Sequence, residues 1–249
     1  MPDSAAAYAE AALFLAPGNE RCLAELLKAL SANPDSVLTY SPLVSGGGVC
    51  RYRLARAELD LGDLEGESVA WLLGTFENGD SAAAADAGCW LTVLFPDKGI
   101  RYIEKSVRLA PEESFYRCLL VDRLVDEDLI ERAVEEFALI DGSAASSPGY
   151  WGTASSLYEA LEDDSAAVEA SRIAYSMRRT PSSGANLGWL LYRYGRSLIS
   201  RNMMTGAVPV LYECSDTWSP DSPWALRADS LLDDLNEFTS TADGFGEPL

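Results

Sequence analysis

Arginines crowd into one stretch of an otherwise acidic chain. Between Ser165 and Asn202 stand Arg172, Arg178, Arg179, Arg193, Arg196 and Arg201 against a single acid, Glu169, while the whole chain carries a net charge of -20. In the helical pattern that begins near Ser183, Asn186, Trp189, Arg193 and Arg196 are spaced i, i+3, i+7 and i+10, so they share one face. Arginine offers a fork that matches a carboxylate, and tryptophan is a flat apolar anchor. That set has the chemistry to capture a carboxylate of a partner. The competing reading has these arginines paired with acids of neighbouring helices, such as Glu159, Glu162 and Asp163.

Other constellations point away from catalysis. The chain has no histidine, which removes histidine triads, general bases and metal ligands together. Cys22, Cys50, Cys89, Cys118 and Cys214 are scattered and form no C-x-x-C pair, which favours buried free thiols over disulfides or zinc. Carboxylate pairs such as Glu112/Glu113, Asp163/Asp164 and Asp233/Asp234 fall at turns and helix starts, where acids cap free amides. Gly46-Gly47-Gly48, with Arg51, Arg53 and Arg56 just after it, lacks the lysine and spacing of a phosphate loop and reads as a connector. Lys98, Arg101, Lys105 and Arg108 share a helical face and read as a solvated stripe. The expectation is a non-enzymatic protein with no cofactor and no metal.

Composition narrows the partners. The acidity repels nucleic-acid backbones and anionic membranes, so neither is expected as a partner, and another protein is. No apolar run is long enough to span a membrane. Met1-Pro2-Asp3-Ser4 offers no positive region ahead of an apolar stretch, so a cytoplasmic location is expected.

The elements that must position these residues are helices. Ser4–Ala16 and Glu20–Ala32 read as a first pair. Between Asn33 and Val49 the pattern lapses, and Val37-Leu38-Thr39-Tyr40 reads as extended. Helices are then expected at Cys50–Leu61, Glu65–Phe76, Ser81–Leu94, Asp97–Leu109, Glu112–Val125 and Asp128–Ile140. Tyr150–Leu161, Ser165–Met177, Ser183–Ser200, Thr205–Ser215 and Ser222–Phe238 follow. In the second helix of successive pairs, a small residue precedes a larger apolar one by four: Gly99/Ile103, Ala133/Phe137, Ala170/Ala174 and Ala207/Leu211. The steps are 34, 37 and 37 residues, the period of a helical-hairpin array.

Asn186-Leu187-Gly188 with Leu191 and Gly195, Ala133 with Phe137, and Leu109-Ala110-Pro111 together resemble the tetratricopeptide repeat. Leu15-Ala16-Pro17 is similar to its ending. The resemblance implies an all-α, right-handed solenoid of antiparallel helix pairs. The likeness covers about 50–219, taken as the repeat array; the residue pattern sets a helical pair and irregular connector over 1–49 (33–49 fits no repeat), a capping helix over 220–238 and a flexible acidic tail over 239–249. The resemblance also implies an adaptor whose concave groove, lined by first helices, binds an acidic or C-terminal segment through Asn186, Trp189, Arg193 and Arg196. Trp151 and Tyr158, seven apart, would extend that lining, and the acidic tail makes self-association a further expectation. On this reading, Arg193→Glu with Arg196→Glu abolishes capture and leaves helicity intact. A second function class is an acidic decoy, inhibitor or immunity-type protein, a nucleic-acid mimic neutralising a basic partner.

Overall fold

Caps and breakers set where each helix starts and stops. A computed structural model describes residues 2–15, 19–44, 48–216 and 222–243, and among them there is no strand. The chain divides into two compact units, one up to Tyr116 and one from Arg117 on. Each is an all-α stack of antiparallel helix pairs.

The first unit holds α1 (Pro2–Leu15), α2 (Glu20–Ala29), α3 (Pro34–Leu38), α4 (Gly48–Asp60), α5 (Glu67–Asn78), α6 (Ser81–Leu94) and α7 (Gly99–Leu109). The stretch expected to be extended is not: Val37 and Leu38 end α3, and Thr39 and Tyr40 form a turn. Asn33 accepts the Ser36 N–H at 3.3 Å, Pro34 supplies a preset φ at the first turn, and a 3-10 turn follows at Ser41–Leu43. Val37 is driven inward against Leu23, Leu26, Leu27 and Leu54, which a helical turn achieves and an isolated strand would not. Gly46 and Gly47 lie outside the described residues, as does part of the Leu15-Ala16-Pro17 ending.

Three contacts tie this unit together. Gly88 of α6 packs so closely on α7 that a Cβ there would stand 3.0 Å from the Tyr102 carbonyl oxygen. Ser106 of α7 donates to Ala85 O at 2.8 Å across the same seam. Glu58 of α4 is buried and accepts the backbone N–H groups of Ser68 at 3.0 Å and Val69 at 3.0 Å, capping α5 from another helix.

α8 (Ser114–Asp126) contains the boundary between the units, and the second unit continues with α9 (Ile130–Ala138), α10 (Pro148–Ala160), α11 (Asp164–Met177), α12 (Pro181–Ser200), α13 (Met204–Asp216) and α14 (Pro223–Asp243). From α10 to α14 each helix packs on the next. α14 runs on to Asp243, past the expected end at Phe238, and residues 244–249 lie outside the described ones. Trp218 does too.

The hairpin repeat has a backbone signature. Gly62 (φ 82), Asp128 (φ 58), Glu162 (φ 59) and Asn202 (φ 60) each close a first helix in the left-handed conformation. The next N–H then reaches the carbonyl five residues back: Asp63 to Glu58, Leu129 to Leu124, Asp163 to Tyr158 and Met203 to Leu198, at 2.8–3.0 Å. This is the Schellman turn that satisfies the last free carbonyls of a helix and reverses the chain. The small-then-large pattern of the second helices is the seam itself. Ile103, Ala133, Ala207 and Leu211 have no exposed surface, and Ala170 and Ala174 are buried. A Cβ on Gly195 of α12 would come within 2.6 Å of Leu211 Cδ2, so glycine there permits the close approach of α13.

Candidate functional site: a polar groove between first helices

α10 turns an unusual face to its neighbour. Gly149, Gly152, Thr153 and Ser156 recur at i, i+3, i+4 and i+7 and present no large side chain. Opposite them, the first turns of α12 carry Ser182 and Asn186. Arg178, at the end of α11, and Asp122, from α8, complete the walls. The result is an open groove of about 680 Å³ within the second unit. Its entrance is fixed by a reciprocal cap: Ser183 N–H donates to Thr180 Oγ1 at 3.1 Å and Thr180 N–H to Ser183 Oγ at 3.0 Å, with Pro181 at the first position of α12.

The groove carries two charged groups of opposite sign. The side chain of Arg178 is exposed and, among the described residues, makes no ion pair. Asp122 sits deep, bonded to the Thr153 hydroxyl, and its Oδ1 is buried without a partner. Burial pushes the Asp122 carboxyl up to about 6, with Asp126 adding to the rise and Thr153 and Arg123 opposing it. Because the folded value lies above the ordinary 3.8, the protonated form favours the fold. Stability from this group is complete below pH 3.8 and is lost as pH rises to about 6. Asp122→Asn is therefore expected to gain on the order of 2 kcal/mol over the parent at pH 7 and to match it near pH 3.5. Parallel urea titrations at the two pH values check this; an equal difference at both contradicts it.

Further along α12, Trp189 and Arg193 continue the face that Asn186 begins. Their polar atoms are engaged within the fold. Trp189 Nε1 donates to Glu159 Oε1 at 3.1 Å, and its ring lies 4.9 Å from that of Trp224. Arg193 Nε and Nη2 reach Asp164 at 3.0 and 2.8 Å, and Nη1 bonds Glu159. Arg193 thus bridges α10, α11 and α12. Arg172 forks onto Glu213 at 2.7 and 2.5 Å and reaches Glu169 at 3.0 Å, and the Glu213 bond holds its guanidinium pKa above the usual value. Arg196 is exposed, its guanidinium 5.8 Å from the Tyr192 ring centre.

Trp151 and Tyr158 are not brought to the groove. Seven residues apart, they point to the side of α10 opposite Gly149, Gly152 and Ser156. Trp151 Nε1 donates to Ala145 O at 2.8 Å and its ring meets Tyr150 edge-on at 5.3 Å. Tyr158 packs against the core of the unit with Leu187 and Leu191.

No family model matches the chain, and no curated protein matches it. Solved structures do. One is MamA, residues 41 to the end, from Desulfovibrio magneticus RS-1, at 15% identity and a TM-score of 0.48, covering 67% of this chain and 92% of that one. Another is the MamA RS-1 ArsTM double mutant, at 14% identity and the same TM-score of 0.48, with the same coverage of 67% and 92%.

Chemically, the groove offers hydroxyls, an amide, a guanidinium and helix backbone to a chain laid along it. Among the described residues no group of three or more His, Cys, Asp or Glu side chains is gathered as a metal site requires, and no helix is long and apolar enough to cross a membrane. Sequence reasoning passed over Asp122, Gly149 and Gly152. The run of small residues at helical spacing on α10 was the signal for the last two.

Proposed function

We propose that this chain is a non-enzymatic adaptor that holds an acidic or chain-terminal segment of another protein in the groove between α10, α11 and α12. The carrying observation is an open groove whose one exposed cation, Arg178, makes no ion pair among the described residues and shares the lining with Asn186. Charge complementarity selects the occupant: the exposed side chain of Arg179, next to Arg178, adds positive charge at that end of the groove, and a carboxylate segment supplies the missing partner. The small residues of α10 leave room for the backbone of that segment. Cysteines that stand unpaired fit a reducing compartment such as the cytoplasm.

The reading is tested with defined peptides rather than extracts. Peptides selected from a random library on the immobilised full chain are measured by fluorescence anisotropy on the parent, Arg178→Glu and Gly152→Trp. Acidic peptides are expected, with affinity reduced about tenfold or more by either substitution and far-ultraviolet circular dichroism unchanged. Selected peptides that bind both variants as tightly as the parent contradict the reading. The decoy reading finds less support: Glu159, Asp164, Glu213 and Glu136 are engaged by arginines of their own unit.

A further inference from the structure

The first unit has a pocket of its own, and its chemistry differs from that of the groove. A cavity of about 210 Å³ opens between α2, α3 and α4. Leu27 and Val37, both buried, form an apolar wall with Ala57 of α4. Tyr52 forms another side and is held in place by stacking on Trp90, ring centres 4.6 Å apart and planes 27° apart. Arg53 and Arg56, one turn apart on α4, bring two guanidiniums to the same space.

The two arginines are not equivalent. Arg56 Nε bonds Asp60 Oδ1 at 3.0 Å, and Asp60 also borders the cavity, so that pair is neutral. Arg53 has no such acid: its Nε is buried without a hydrogen-bond partner, and among the described residues it makes no ion pair. A buried donor of a permanently charged group without an acceptor is destabilising, and a planar acceptor of charge -1 relieves it. The cavity thus joins one net positive fork to an aliphatic wall, in a space suited to a body of leucine size rather than to an extended chain.

We propose that this pocket binds a monocarboxylate with a short aliphatic body, its carboxylate on Arg53 and its body against Leu27, Val37 and Ala57. The site is independent of the groove and of the adaptor reading. Two sources share that chemistry, a free organic acid and the C-terminal leucine or valine of a peptide.

The test uses the full chain and three probes, measured by isothermal titration: 4-methylpentanoate, its amide 4-methylpentanamide, and an acetylated tripeptide ending in leucine with a free carboxylate. The acid or the tripeptide is expected to bind at least tenfold more tightly than the amide, and Arg53→Gln to weaken that binding about tenfold or more. Binding of the acid alone assigns a small-molecule ligand, and binding of the tripeptide alone assigns a chain terminus. The comparison of acid with amide on the parent protein decides the matter even if Arg53→Gln fails to fold. Binding of the amide as tight as that of the acid or the tripeptide, no binding of either carboxylate, or undiminished binding by a folded Arg53→Gln would overturn the proposal.

Discussion

Replacing Glu58 by leucine is expected to lower the stability of the first unit by about 3 kcal/mol, since it strips the cap from a buried helix start. Glu58 lies at 6% exposure on α4 and accepts from two successive N–H groups of α5, those of Ser68 and Val69. Ser68 and Val69 are themselves at 1% exposure, so water cannot take over the vacated bonds. Leucine fills much of the space and leaves both donors unsatisfied, each at a penalty of about 1–3 kcal/mol, partly offset by its own burial. Gly66 shows how tightly the site is built, because a Cβ there would collide with the Glu58 carboxylate. Glu58→Gln keeps one acceptor and is expected to lose less than half as much. Equilibrium unfolding followed by tryptophan fluorescence measures both; a loss under about 1 kcal/mol for the leucine variant contradicts the assignment.

Arg193→Glu carries the second large effect, about 3 kcal/mol of destabilisation in the second unit. The substitution removes the bridge between α10, α11 and α12 and sets a third carboxylate beside Glu159 and Asp164, whose side chains are only 31% and 16% exposed. Breaking one partner of a part-buried cluster leaves charge uncompensated where water screens it poorly, and a like charge adds repulsion. Arg196→Glu, on an exposed arginine with no acid within reach among the described residues, is expected to stay within about 0.5 kcal/mol. Trp189 and Trp224 report on the same locality, so urea unfolding of the two variants separates them directly. Equal stability of the two would contradict the geometry. Arg193 holds helices together, and Arg178 is the cation whose removal tests capture without dismantling the unit.

The helices were legible because their ends are written in local chemistry. Asp80 before Ser81, Asp163 before Asp164 and Thr180-Pro181 before α12 all cap as their residue types require. The small-then-large register of the second helices was legible for the same reason: it follows a fixed spacing. Less local features were not. α3 is short and depends on burying Val37 against α2 and α4, a tertiary effect that overrides the β propensity of Val37-Leu38-Thr39-Tyr40. Asp128 and Glu162 take the left-handed turn that composition would assign to glycine, because two helices packed on either side impose it.

At the site, spacing put Asn186, Trp189, Arg193 and Arg196 on one face of α12; of the four, Asn186 lines the groove, and Trp189 and Arg193 are engaged by acids of neighbouring helices. Spacing says nothing about which acids arrive from other helices. Glu159 and Asp164 stand 34 and 29 residues from Arg193, and only the fold brings them there. Trp151 and Tyr158 are one face apart from the groove, since the helix phase that would link them to Asn186 depends on the rotation of α10. The groove itself is an absence of bulk, which hydrophobic patterning does not register.

The adaptor account stands most directly on where a bound segment lies. Amide hydrogen exchange of the full chain, with and without a saturating acidic peptide from the library selection, reads that location residue by residue. The account predicts new protection at 149–156 and 178–186, with 1–116 unchanged. Protection confined to the first unit, or to the α13 and α14 side of the second, would contradict it.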